Sequence, residues 1–221
     1  MTKPPQPTNP AGKSPDEVLR LGFLASHGGS NLQAIIEACK MGRLKAEVRV
    51  VISNNSSSIA LERARREGIP YRHLSGRTHP EPGGLDRAIV DTLEAREVNL
   101  VVLGGYMKQL GPDTLSQYAR RILNIHPALL PKYGGKGMYG RRVHEAVLAA
   151  GERVTGATIH FVDEEYDRGE IIAQSEVPVE NGDTVETLGG RVLGREHEIY
   201  VETLQRISLG EIDVGLKGRG N

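Results

Sequence analysis

The sequence has one cysteine, Cys39, in 221 residues. No internal disulfide can form, and the chain suits a reducing compartment. Neither charge is in excess, because 28 Lys and Arg balance 28 Asp and Glu. Proteins whose main partner is a polyanion carry a basic surplus, so no nucleic-acid partner is expected, although a local basic pocket for one small phosphate remains open. No apolar run reaches the roughly 18 to 20 residues of a membrane helix. The opening "MTKPPQPTNPAGKSPDE" lacks the apolar core of a secretory signal. These absences predict a soluble, cytoplasmic protein with no membrane partner.

Nucleotide and metal fingerprints are also missing. "AGKS" at 11–14 resembles the end of a phosphate-binding P-loop, but Pro7 stands where the first glycine belongs and no strand leads into it. His27, His73, His79, His144, His160 and His197 show no metal-ligand spacing, so no metal is expected. Cys39, in "IIEACKMG", reads as the buried end of a helix.

What is present is a rhythm. Apolar runs at 18–26, 46–54, 69–74, 99–106 and 121–126 alternate with helical patterns at 30–42, 59–68, 84–98 and 111–119. Such alternation indicates βαβ units and a parallel sheet. After a helix at 141–151, the segments 153–162 and 169–179 alternate polar with apolar residues, as an antiparallel pair at a sheet edge does. A long helix at about 184 to 207 packs back. The expected fold is α/β: a Rossmann-like, mostly parallel twisted sheet with helices on both faces and an antiparallel edge in its C-terminal part. The expected organisation is a flexible Pro-rich leader at 1–17, one domain at 18–208 and a tail at 209–221.

In open parallel sheets, ligands sit beyond the carboxyl ends of the strands, so 26–31, 104–110 and 124–127 should meet in one cleft. In "SHGGSN", Gly28 and Gly29 allow close backbone approach, and Ser30 or Asn31 can cap the helix. The free N–H groups and positive dipole end then make a phosphate or carboxylate cradle, or simply a well-capped turn. In "NIHP", Asn124 and His126 lie on one face of a strand. An amide can donate to a developing oxyanion, and an imidazole can give or take a proton. In "DEEYDRGEII", Asp167 can fold back and hold an imidazole charged, while Asp163, Glu164 and Glu165 suit a solvated turn; spacing alone does not choose among them. Arg141 and Arg142 open a helix and are expected to face solvent, with an anionic ligand able to use one of them. Gly104 and Gly105 either pack strands or admit a ligand.

The segments "GGSNLQAII" (28–36), "VVLGGYM" (101–107), "LNIHPALLPKYGGKGMYG" (123–140) and "DEEYDRGEIIAQ" (163–174) together resemble one family. It is the phosphoribosylglycinamide formyltransferases, the folate-dependent glycinamide ribonucleotide transformylases of purine synthesis, and the likeness runs from about residue 19 to 208. The resemblance implies attack of the 5-phosphoribosylglycinamide amine on the formyl carbon of 10-formyltetrahydrofolate, the co-substrate, in a monomer or homodimer. It also implies roles for residues. Asn124 would hydrogen-bond the formyl oxygen, His126 would act as general acid and oxyanion stabiliser, and Asp167 would raise the His126 pKa. Gly29, Ser30 and Asn31 would hold the phosphate, and Glu196 the ribose hydroxyls. Met107, Lys108, Gln109 and Leu110 would receive the pterin through their backbone, under a loop that includes Asp163. Lys108 stands where the family commonly has Arg, and Pro82 stands where some members have a folate-contacting Arg. The cation for the folate tail is left open between Lys108 and Arg77. Two rivals from the same superfamily, formyltetrahydrofolate hydrolase and methionyl-tRNA formyltransferase, normally carry an extra domain. A catalytically silent nucleotide-binding module is a third alternative.

Overall fold

Side chains alternate along a strand, so a sheet covered on both faces needs apolar residues at successive positions. The central strands supply them. The computed structural model describes residues 18–216. The expected leader, with its "AGKS", and the last residues of the expected tail lie outside that range. The strands are β1 (Leu19–Leu24), β2 (Ala46–Ser53), β3 (Tyr71–His73), β4 (Leu100–Leu103), β5 (Ile122–His126), β6 (Val154–Phe161) and β7 (Ile171–Pro178). The helices are α1 (Ser30–Lys40), α2 (Ile59–Arg66), α3 (Gly84–Glu94), α4 (Pro112–Gln117), α5 (Arg141–Ala149) and α6 (Val185–Ser208).

The strands form one sheet in the order β3-β2-β1-β4-β5-β6-β7. β1 to β5 pair in parallel, whereas β5, β6 and β7 pair antiparallel, so the expected mixed sheet and its antiparallel edge are both present. Leu19, Leu21 and Phe23 point to one side with residues of α1 and α6; Leu24, Val50, Ile52 and Val101 point to the other with residues of α3. Cys39 packs half-buried against the first of these clusters, and burial pushes its thiol pKa up. A smaller cluster joins α5, α6 and β7 through Val143, Val147, Leu188 and Val177.

Element bounds differ by up to four residues from expectation, and the third helix differs most among the helices. The third helix, expected to reach 98, stops at Glu94 because Val98 N–H turns back to Leu93 O and Glu97 takes φ 52°. α6 starts at a capping box in which Thr184 accepts from Thr187 N–H and Thr187 Oγ1 accepts from Thr184 N–H. Its Tyr200, fully buried, shares its O–H between Leu103 O at 2.9 Å and Leu123 O at 3.1 Å. That bond fixes α6 against the carboxyl end of β4 and the first half of β5. Strand order reverses at β1, with β2 on one side and β4 on the other, and this is the switch point where an α/β sheet opens a crevice.

Candidate active site

A cavity of about 1050 Å³ opens at that switch point. All three segments expected to meet there line it, through residues 27–31, 104–107 and 124–127, together with Asp167 and Glu196.

Asn124 and His126 lie on β5 opposite His160 and Thr158 of β6. His126 is 3% exposed, and its Nε2 lies 2.7 Å from Tyr133 O, a carbonyl that can only accept. Nε2 therefore carries the hydrogen, and Nδ1 faces Asp167 Oδ2 at 3.5 Å. Asp167 sits in the β6–β7 loop at φ 56°, a conformation that Asp tolerates better than most residues. Its Oδ2 accepts Gly135 N–H at 2.9 Å, and its Oδ1 lies 3.5 Å from His160 Nε2. His160 Nε2 is also 3.1 Å from Asn124 Nδ2, while its Nδ1 is 2.8 Å from Phe161 O. A hydrogen on Nδ1 satisfies that carbonyl; Nε2 accepts from Asn124 when bare and donates to Asp167 when protonated, and in either state at least one amide hydrogen of Asn124 is unused. The four side chains Asn124, His160, Asp167 and His126 thus form one chain of contacts.

Opposing influences act on the His126 imidazole. Burial pushes the His126 pKa below its usual value; Asp167 and the Tyr133 carbonyl act in the opposite direction and do not overcome it. Asp167 thus raises the His126 pKa, as the resemblance implies, but burial outweighs it and the net shift is downward. Burial also pushes the Asp167 carboxyl up, but His160, His126 and the Gly135 N–H together hold it below the usual range.

At the other end of the cavity, Gly29 is the N-cap of α1 with φ 64° and ψ 35°, and no side chain caps the helix. Neither Ser30 nor Asn31 takes the capping role open to it, and the first-turn N–H groups, which have no partner within a helix, stay available to an anion. An added Cβ at Gly29 would lie 2.8 Å from Ala60 Cβ, so the turn needs glycine for both φ and space. Asn31 turns inward instead and donates through Nδ2 to Glu196 Oε2 at 2.9 Å; its Oδ1 has no partner. Glu196 is 8% exposed, and burial lifts its pKa to about 7 against the opposing Asn31 bond.

The folate segment is divided. Met107 lines the cavity and is exposed. Lys108 and Gln109 are exposed and Leu110 is buried in the core, and none of the three is among the lining residues. Gln109 Nε2 donates to Glu164 O at 2.9 Å, which ties this segment to the 163–166 loop. Asp163 is exposed, accepts Glu165 N–H at 2.9 Å and does not line the cavity; Tyr166 of the same loop does. Arg77 is exposed and away from the lining. Arg141 is exposed, as expected, and also borders the cavity, with its guanidinium held by Glu145 and Glu186. Arg142 covers the Tyr139 ring at 5.3 Å. Gly104 packs against Phe23 and also lines the cavity, so both readings of that glycine apply.

Three participants escaped the sequence reading: His160, the Tyr133 carbonyl and His144. His144 lines the cavity with its Nδ1 unpartnered and its pKa lowered by burial. A histidine inside the apolar run "ATIHFV" is the one signal for His160, and strand register alone brings it opposite Asn124. Among the described residues, no group of three or more His, Cys, Asp or Glu is arranged to hold a metal, and no helix is long and apolar enough to cross a membrane.

The formyl transferase family matches residues 19–204. A chloroplastic phosphoribosylglycinamide formyltransferase of Vigna unguiculata is 47% identical over 189 residues, covering 85% of this chain and 60% of the relative. The phosphoribosylglycinamide formyltransferase of Escherichia coli K12 is 42% identical over 182 residues, covering 82% and 84%. The crystal structure of glycinamide ribonucleotide transformylase 1 from Symbiobacterium toebii aligns with a TM-score of 0.82 at 40% identity, covering 90% of this chain and 92% of that one. The chain spans 60 to 65% of the length of the chloroplastic relatives from Vigna unguiculata, Arabidopsis thaliana and Glycine max. On the strength of the match from 19 to 204 and of these relatives, the chain belongs to the formyl transferase family.

Proposed function

We propose that this protein transfers the formyl group of 10-formyltetrahydrofolate to the amine of 5-phosphoribosylglycinamide, giving N-formylglycinamide ribonucleotide and tetrahydrofolate for purine synthesis. The observation that carries the reading is the chain Asn124–His160–Asp167–His126 on a cavity that also presents an uncapped helix N-terminus and a buried carboxylate.

The acceptor's phosphate lies on the N–H groups of Gly29, Ser30 and Asn31, where backbone dipoles favour an anion. Its ribose hydroxyls donate to Glu196. The formyl group then reaches β5, where the free Asn124 amide hydrogen meets its oxygen. The amine attacks the formyl carbon, and the carbonyl π pair moves onto oxygen. His126 is tautomerically fixed with its hydrogen on Nε2, so Nδ1 accepts the proton that the attacking amine sheds. Asp167 stabilises the imidazolium so formed. The same proton passes to the folate nitrogen as its bond to carbon breaks and the carbonyl re-forms. Neutral His126 thus starts as a base and finishes as the acid implied by the resemblance. Met107 to Leu110 present backbone to the pterin, and the 163–167 loop closes that side.

The test is formyl transfer followed by the absorbance of the folate product, with and without acceptor. Turnover should require acceptor and fall about 10²–10³-fold in Asn124→Ala, the usual loss of one oxyanion donor, and at least as far in His126→Ala. Folate turnover that ignores the acceptor would make the protein a hydrolase. Full activity in either variant would remove the proposed centre.

A further inference from the structure

Between the phosphate-side turn and the folate-side segment stands Ser26, which is 1% exposed and does not line the cavity. Its backbone N–H donates to Gly105 O at 3.0 Å. Its Oγ accepts Met107 N–H at 2.7 Å, so the residue grips the 105–107 backbone at two points. The hydroxyl has one hydrogen, and it goes to Asn54 Oδ1 at 2.6 Å, beyond the end of β2. Asn54 therefore sets the rotor, turning the oxygen lone pairs toward Met107 N–H.

This grip is placed where the chain most needs one. Gly105 adopts φ 71°, so β4 breaks at once after its last residues, and the segment that follows has no strand partner of its own. Met107, Lys108 and Gln109 are exposed. Without Ser26 Oγ, the Met107 N–H would lose its acceptor and the backbone would be free to turn that group elsewhere. The residue immediately after Ser26 is His27, which lines the cavity and whose carbonyl accepts Ala60 N–H at 2.9 Å. One side chain thus fixes the folate-side segment to the root of the acceptor-side turn.

We infer that Ser26, oriented by Asn54, is a positioning residue for the formyl donor: it sets the Gly105–Met107 backbone that the folate ring must match and leaves the acceptor subsite and the proton-transfer chain untouched. The inference rests on the proposed formyl transfer, in which this segment receives the folate.

The experiment measures steady-state constants for both substrates, with calorimetric titration of tetrahydrofolate, for wild type, Ser26→Ala, Asn54→Ala and Asn54→Asp. Loss of one buried hydrogen-bond acceptor corresponds to about a tenfold change in binding. Ser26→Ala should raise the donor KM and the tetrahydrofolate Kd by about tenfold, with acceptor KM within about twofold of wild type. Asn54→Ala should move the same two constants in the same direction, and Asn54→Asp, which retains an accepting oxygen, should restore them. If Ser26→Ala is unstable, the Asn54 pair decides the matter. Unchanged donor constants in both alanine variants, or donor and acceptor constants that rise together, would overturn the inference while leaving the formyl transfer intact. Wild-type protein that turns over no formyl donor and binds no tetrahydrofolate would overturn both.

Discussion

Glu196 is a carboxylate enclosed by protein that accepts a hydrogen bond from Asn31, and among the described residues it forms no ion pair. Replacing it by Gln tests the electrostatic reading of the acceptor end. Its pKa of about 7 stands above the ordinary 4.5 because burial disfavours the charged form. Between those values the folded protein binds a proton that the unfolded chain has released. Stability therefore falls as pH rises through this window and then stays low. At 1.36 kcal/mol per unit, the raised pKa costs roughly 1 kcal/mol of stability at pH 5 and about 3 kcal/mol at pH 8. Glu196→Gln removes that dependence, and its amide can also donate to Asn31 Oδ1, which now has no partner. Denaturant unfolding of both proteins at pH 5 and pH 8 should show the variant's advantage growing by about 2 kcal/mol between them. An offset that is the same at both pH values would refute the reasoning. The gain comes at the expense of function, because an amide accepts less well from two ribose hydroxyls, and the acceptor KM should rise.

Two further substitutions probe the two ends of the cavity. Gly29→Ala places a Cβ 2.8 Å from Ala60 Cβ at φ 64°; it should cost at least about 1–2 kcal/mol in unfolding experiments and raise the acceptor KM more than the donor KM. Asp167→Asn keeps a side chain that tolerates the φ of 56° and can still accept Gly135 N–H, so the fold should persist. It removes the charge that supports protonation of His126, whose pKa should then fall further, as read by NMR titration of the ring nitrogens. A His126 pKa that rises or does not move would contradict the proposed Asp167–His126 coupling.

Much of the fold could be read directly because its signals are local. Alternation of β-rich and helical patterns is written in residue order, and the breaks at Gly28–Gly29, Gly104–Gly105 and Pro127 follow from backbone chemistry. The rule that ligands sit beyond the carboxyl ends of parallel strands then brought three segments to one place, and they do line one cavity. Asn124 and His126 could be put on one face because a strand has period two.

What the sequence could not decide depends on register and burial. Nothing in residue order says that His160 stands opposite Asn124 or that Asp167, at positive φ, reaches two imidazoles. The helix cap was misjudged for the same reason: Asn31 has the chemistry to cap α1, but a carboxylate 165 positions away competes for its amide. The direction in which Asp167 moves the His126 pKa could be read because a carboxylate neighbour is visible in a motif, whereas the burial that outweighs it is not. By itself the sequence determined the α/β architecture, the cleft and the residues able to do chemistry there, since these follow from short-range pattern. Only the tertiary structure decided which hydrogen bonds those residues make and which protonation states they hold, since both depend on packing between segments far apart in the chain.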